Sequence, residues 1–63
     1  MGIYQFLMLD RSGQIRGVEV FECEDDGEAR IIADGLLEKS SHRTVDVFEA
    51  GSHVCRVSQS HGA

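Results

Sequence analysis

The chain has 63 residues and a mass of 7.0 kDa, so it forms one domain at most, and a chain this short buries a core only marginally on its own. Hydrophobic residues make up 41% of it and proline is absent, which excludes a disordered acidic tail, a proline-rich linker and collagen. The net charge of −5 and the scattered basic residues disfavour binding to nucleic acid or to an anionic membrane, because both need clustered cations.

The first predicted element is a β-hairpin. Segments 3–10 and 14–23 are rich in β-branched, aromatic and aliphatic residues, and the second segment alternates with period two. Between them, Asp10 favours the first position of a type I turn and Gly13 the last. Two such runs around a short loop that contains glycine indicate a hairpin. The residues that could face a covering helix are Tyr4, Phe6, Met8, Ile15 and Phe21.

An amphipathic helix is predicted next. Asp25, followed three residues later by Glu28, is a capping-box pattern in which aspartate replaces serine or threonine. Apolar residues then recur at helical spacing, and we expect the helix to bury Ala29, Ile32, Ala33, Leu36 and Leu37. Gly35 costs about 1 kcal/mol relative to alanine, and we expect it to allow the helix to approach the sheet closely. Ser40 and Ser41 are expected to end the helix.

A second hairpin is predicted from segments 44–50 and 53–58, and the polar residues 59–63 are expected to fray. The fold class is therefore α+β: one domain over 1–63, in which a four-stranded, mostly antiparallel sheet in the order ββαββ carries one helix on one face. We expect the strand order 2-1-3-4. Pairing strand three with strand one keeps both hairpins intact and avoids a lone parallel pair.

The register of the second hairpin is predicted from charge. A three-residue loop over 50–52 would place Glu49 opposite His53 and Asp46 opposite Arg56. Opposite charges would then face each other across the strands, which is favourable. We therefore prefer this loop to a two-residue one.

The sheet face that points away from the helix is predicted to be a self-association surface. A solvated sheet face is normally polar, but the residues that alternate onto this face are largely apolar. We expect a homodimer, because pairing through a two-fold axis needs no second protein. Pairing of exposed strand edges, particularly along the short strand four, is a route that could replace or supplement face packing. The predicted self-association face consists of Ile3, Leu7, Val18, Val20, Phe48 and Val54.

No residue pattern predicts a catalytic, metal or cofactor site. His53 and Cys55, together with His42 and Cys23, form the best candidate zinc set, but the close ligand pairs of structural zinc sites are missing. One small layer of sheet and helix also leaves little room for a catalytic pocket. We expect a non-enzymatic protein without a cofactor. We expect it to be cytoplasmic, with both cysteines reduced, because a basic n-region is missing and the two cysteines form no CxxC motif.

Five short motifs along the chain carry a resemblance to a known family. They are Tyr4-x-Phe6, Asp10-x-x-Gly13-x-Ile15, Cys23-x-Asp25-Asp26-x-Glu28-Ala29, Val45-x-Val47-Phe48 and Val54-x-Arg56-Val57. Together they cover nearly the whole chain and resemble a family of short bacterial proteins, common in alphaproteobacteria, to which no biochemical activity is assigned. The resemblance implies a free-standing domain of a soluble bacterial protein, and it implies no site.

The chain also has a weaker likeness to HicB-like antitoxins. Those proteins open with strands around an acidic turn and pass through an acidic Glu-Ala segment into a helix. The likeness implies an alternative function, that of an antitoxin-like or regulatory protein that binds and covers another protein. This chain departs from the antitoxins because it lacks their third strand before the helix and their appended DNA-binding segment.

Overall fold

The computed structural model describes residues 2–39 and 43–58, which form four strands and one helix. In chain order these are β1 (Gly2–Leu9), β2 (Ile15–Cys23), α1 (Asp26–Lys39), β3 (Thr44–Glu49) and β4 (Ser52–Ser58). All neighbouring strands are antiparallel, and the sheet order is β2-β1-β3-β4. The predicted fold class and strand order are confirmed. The predicted helix end at Ser40 and Ser41 and the predicted tail over 59–63 lie outside the described residues.

The core lies between the helix and one face of the sheet. Its buried members are Tyr4, Phe6, Met8, Cys23, Ala29, Ala33, Leu37, Val45, Val47 and Val57. The predicted apolar stripe of the helix faces this core, since Ala29, Ala33 and Leu37 are buried. Ile32 and Leu36 are only half-buried and pack against its rim. We call the sheet face that carries the core the helix side and the opposite face the outer face.

The helix begins with the predicted cap. Asp25 Oδ1 accepts a hydrogen bond from the backbone N–H of Glu28 at 2.9 Å, and Glu28 Oε1 accepts one from the backbone N–H of Glu24 at 2.8 Å. The Tyr4 hydroxyl donates to Asp26 Oδ1 at 2.7 Å, which ties the first helical turn to β1. This hydrogen bond, reinforced by burial, raises the pKa of Tyr4 well above its usual range, so the phenol stays neutral.

Gly35 does not serve a close approach between helix and sheet. A Cβ built on Gly35 meets no other part of the structure within 4 Å. The expectation from the sequence is therefore wrong at this position, and an alanine methyl group would extend into open space.

Replacing Gly35 with alanine is expected to raise the free energy of unfolding by about 0.5–1 kcal/mol, because alanine loses less backbone entropy on forming a helix. Urea denaturation measures the change. The matched control is Gly13→Ala, which also adds a methyl group in open space but at a φ of +83°. This second variant should lose about 1–2 kcal/mol, because L residues are strained in that region. Equal effects of the two substitutions would contradict the account.

The first hairpin has the predicted turn and, next to it, a bulge. The backbone N–H of Gly13 donates to the carbonyl of Asp10 at 3.0 Å, and Asp10 Oδ1 accepts from the N–H of Ser12 at 2.8 Å. The register of β2 shifts between Met8 and Leu9, so Ile15 pairs with Leu9 and lies on the outer face, 56% exposed. The expected position of Ile15 on the helix side is wrong, because the bulge places one extra residue in β2.

The second hairpin has a two-residue turn, and the predicted three-residue loop is wrong. Ala50 and Gly51 have φ values of 52° and 81°. Two successive positive φ values are what a type I′ turn requires, and such turns match the right-handed twist of the flanking strands. Glu49 therefore pairs with Ser52 rather than with His53.

A bulge in β4 shifts the pairing with β3 by one residue after this turn. His53 pairs with Phe48 and Cys55 with Val47, which leaves Val54 unpaired between them. From Cys55 onward the strand follows the predicted register, and Asp46 pairs with Arg56 as expected. The bulge thus moves His53 to the outer face.

Candidate interaction surface

The outer face carries an apolar patch on β1 and β2, interrupted by the exposed Gln5 between Ile3 and Leu7. Leu7 pairs with Val18, and Val20 follows on the same face of β2. Ile3, Val18 and Val20 are 56%, 54% and 54% exposed, whereas Leu7 is half-buried among them. The bulge adds Ile15 beside Leu9. We define the apolar patch as Ile3, Leu7, Leu9, Ile15, Val18 and Val20, four of which belong to the predicted face.

The other two predicted members have different environments. Phe48 lies on the outer face, where its ring is half-buried and meets the ring of His53 edge to face, with centroids 5.1 Å apart. Val54 is half-buried and packs against the core cluster. As the unpaired residue of the β4 bulge, Val54 is not one of the freely exposed members of the predicted face.

A charged cluster occupies the outer face on β3 and β4. The Asp46 carboxylate is buried, with the residue 6% exposed, and it accepts two hydrogen bonds from Arg56: Nε to Oδ1 at 2.7 Å and Nη2 to Oδ2 at 3.0 Å. His53 Nε2 lies 3.3 Å from Asp46 Oδ1. The Arg56 hydrogen bonds hold the pKa of Asp46 below its usual range, although burial opposes them. Asp46 is therefore ionised and fixed at neutral pH.

The charges on the outer face balance. Alternation along the described strands places Arg16, Glu22, Asp46 and Arg56 there, two cations and two carboxylates. Arg16 also pairs with Asp10 of the turn, at 2.8 Å between Nε and Oδ2. The excess negative charge of the chain therefore lies elsewhere, mainly on the helix and the loop before it. Two copies of this face could meet without net repulsion.

Replacing Asp46 with asparagine is expected to cost about 1.5–3 kcal/mol at pH 7, the range for hydrogen bonds to charged groups. The pKa of Asp46 is lower in the folded protein than in the unfolded chain, where it is near 3.9. The ionised carboxylate therefore stabilises the fold above this pH, and the stabilisation is lost as the pH falls through the pKa of the folded state. The difference from wild type should therefore shrink below about pH 4. Urea denaturation at neutral and acidic pH measures it. Asp34→Asn, on the exposed helix surface, should change stability by less than about 0.5 kcal/mol. A pH-independent difference at Asp46 would contradict the account.

The predicted zinc candidates are not brought together. His53 lies on the outer face, while Cys23 is a core residue and Cys55 packs against the core on the helix side. The fourth candidate, His42, lies outside the described residues. Within residues 2–39 and 43–58, no group of three His, Cys, Asp or Glu side chains is placed to hold a metal ion.

The thiols are poorly suited to nucleophilic chemistry. Neither Cys23 nor Cys55 forms a disulfide. Burial raises the pKa of both thiols, so the thiolate is scarce at neutral pH. An open depression of about 480 Å³ lies at the start of β1 and is lined by Gly2, Ile3, Gln5, Glu49, Ala50 and Gly51. Its lining offers Glu49 as the one titratable side chain, so it holds no acid–base pair.

Sequence reasoning missed the contact between His53 and Asp46. The sequence signal for it is the dipeptide Ala50-Gly51, which can form a two-residue turn if alanine adopts a positive φ. A two-residue turn pairs Glu49 with Ser52 and so changes the position of His53. No helix in the described part of the chain is both long and apolar enough to cross a membrane.

Comparisons with protein-family models, with curated proteins and with solved structures gave no match to this chain.

Proposed function

We propose that the protein is a non-enzymatic interaction module whose outer sheet face packs against the same face of a second copy. The observation that carries the proposal is the apolar patch, whose three most exposed predicted members, Ile3, Val18 and Val20, are each more than half exposed on one face of the sheet. Fully burying a valine or isoleucine is worth about 1.5–3 kcal/mol, so each gains roughly 1 kcal/mol from contact with a partner.

The charge pattern favours a second copy as the occupant. A chain with a net charge of −5 repels itself on average. The outer face escapes this repulsion, because its two arginines balance its two carboxylates. A two-fold axis that lies between the two sheets and runs perpendicular to their strands would place the apolar half of one copy against the apolar half of the other. Both free thiols agree with a reducing compartment, and we propose the bacterial cytoplasm.

Dilution followed by NMR tests this proposal. On dilution from the millimolar to the low micromolar range, the methyl signals of Leu7, Val18 and Val20 are expected to shift as the face becomes solvated. The methyl signals of Ile31 serve as the control, because that side chain is 72% exposed on the helix. Shifts confined to Ile31, or no shift anywhere, would contradict the proposal.

A further inference from the structure

Strand β2 forms one edge of the sheet, and it is the least covered strand. It lies outermost in the order β2-β1-β3-β4, and the helix lies mainly over β3 and β4. Exposed apolar side chains therefore occur on both of its faces: Val18 and Val20 on the outer face and Phe21 on the helix side. A nine-residue edge with unpaired backbone groups is a template for pairing with another strand.

Strand β2 is only partly protected as an edge: Arg16, Glu19 and Glu22 are charged, and Glu19 points to the helix side, but other usual protections are missing. The chain has no proline, and β2 contains no lysine. Its bulge lies at the beginning of the strand, so from Gly17 to Cys23 the register with β1 is regular. This stretch can accept a further antiparallel strand without distortion.

The size of the outer face gives a reason for a second contact. Strands about 4.8 Å apart and about seven residues long make a four-stranded face of only roughly 450 Å². A face this small limits what face packing can bury, and an edge contact would add backbone hydrogen bonds between strands.

The side chains of β2 select one register for pairing with a second copy. A two-fold axis normal to the sheet keeps both outer faces on the same side. Directly opposite residues must then point to the same face, so they are either both odd-numbered or both even-numbered. With Glu19 at the axis, Val18 meets Val20 of the second copy twice. Glu22 would meet Arg16, which lies at the bulge and would exchange its contact with Asp10 for one with Glu22. Phe21 then lies opposite Gly17, a pairing in which an aromatic ring covers a glycine. Centring on Val18 or Val20 would instead set Arg16 against Val20, or Val18 against Glu22.

We propose that a second copy of this chain adds to the β2 edge in antiparallel orientation, centred on Glu19, so that the two sheets become one continuous eight-stranded sheet. This contact rests on the proposed self-association for the identity of the partner, but it uses a different surface. Its one unfavourable feature is that Glu19 faces its own copy, because like charges directly opposite each other are destabilising. Both contacts together would make an assembly of four chains.

A cysteine cross-link tests the edge contact. Glu19→Cys would place two thiols directly opposite each other, with Cβ atoms about 4.5–5.5 Å apart, close enough for a disulfide after a small adjustment. Under mild oxidation this variant is expected to form covalent dimers rapidly. The matched control is Glu22→Cys on the same strand, whose two copies would lie about 20 Å apart in this register. Wild type controls for the native cysteines.

A charge substitution gives a second readout. Glu19→Gln removes the like-charge pair and should lower the dissociation constant of the edge contact roughly two- to five-fold. Glu19 lies on the helix side of the sheet, opposite Phe6, so packing through the outer face alone would respond only to the change in net charge, which Glu38→Gln on the exposed helix surface reproduces. No change on Glu19→Gln, together with cross-linking no faster than that of Glu22→Cys, would overturn the edge contact.

The outcomes separate this inference from the proposed function. Suppose that Glu19→Cys cross-links rapidly and that Ile3→Lys does not change the mean mass of the protein in solution. This result would support the edge contact and refute packing through the outer face. Association that is lost on Ile3→Lys, without selective cross-linking at position 19, would support the face and refute the edge. A wild-type protein that stays monomeric at high micromolar concentration would refute both.

Discussion

Replacing Leu37 with alanine is expected to lower the free energy of unfolding by about 2–5 kcal/mol, a large part of the stability that a small domain has. Leu37 is 4% exposed and is the largest side chain that the helix buries in the core. We therefore expect the variant to be largely unfolded at 37 °C, as measured by circular dichroism and urea denaturation.

Two matched substitutions on the same helix locate this effect. Leu36→Ala, at a half-buried position on the rim of the core, should cost less than Leu37→Ala. Ile31→Ala, at an exposed position, should change stability by less than about 0.5 kcal/mol. A larger loss at Ile31 than at Leu37 would mean that the helix presents a different face to the sheet.

Replacing Ile3 with lysine is expected to raise the dissociation constant for self-association at least about ten-fold. The substitution removes an exposed apolar side chain from the patch and adds a charge that face packing would have to bury. Ile3 is on β1, one strand in from the β2 edge, and it pairs with Glu22, so a lysine there has a carboxylate within reach and the fold should survive. Sedimentation equilibrium measures the constant.

The matched control is Ile31→Lys, which makes the same chemical change at an exposed position on the helix. Both variants change the net charge from −5 to −4, so a general charge effect would act equally on them. Self-association through the outer face predicts that only Ile3→Lys weakens it. Equal weakening by both variants would contradict the assignment of the face.

The elements of the fold could be predicted because their signals are local and periodic. The helix follows from the spacing of Ala29, Ala33 and Leu37, and its start follows from Asp25 and Glu28. The turn between β1 and β2 follows from Asp10 and Gly13. Strand order followed from the need to avoid a lone parallel pair, which is a general preference of sheets.

The two bulges could not be predicted, because each shifts a strand by one residue without leaving a clear pattern in the sequence. In β2 the bulge moved Ile15 to the outer face, and in β4 it moved Val54 toward the core and His53 outward. A shift of one residue exchanges the two faces of a strand, so a small error in register assigns side chains to the wrong face of the sheet. The four predicted members on β1 and β2 do lie on the outer face, whereas Val54, at the bulge, is half-buried against the core.

The charged cluster could be predicted only in part. The pairing of Asp46 with Arg56 followed from charge complementarity, and it holds at 2.7 Å. The burial of Asp46 could not be predicted from the sequence, because alternation along β3 places Asp46 on the sheet face that the helix does not cover. The structure shows that Arg56 and His53 close over it.

Sedimentation equilibrium of the wild-type protein over a concentration series is the most direct test of self-association. If the protein self-associates, the mean mass should rise with concentration to at least twice the chain mass of 7.0 kDa, and beyond that if the edge and the face both form contacts. A mass that remains at 7.0 kDa up to high micromolar concentration would contradict self-association.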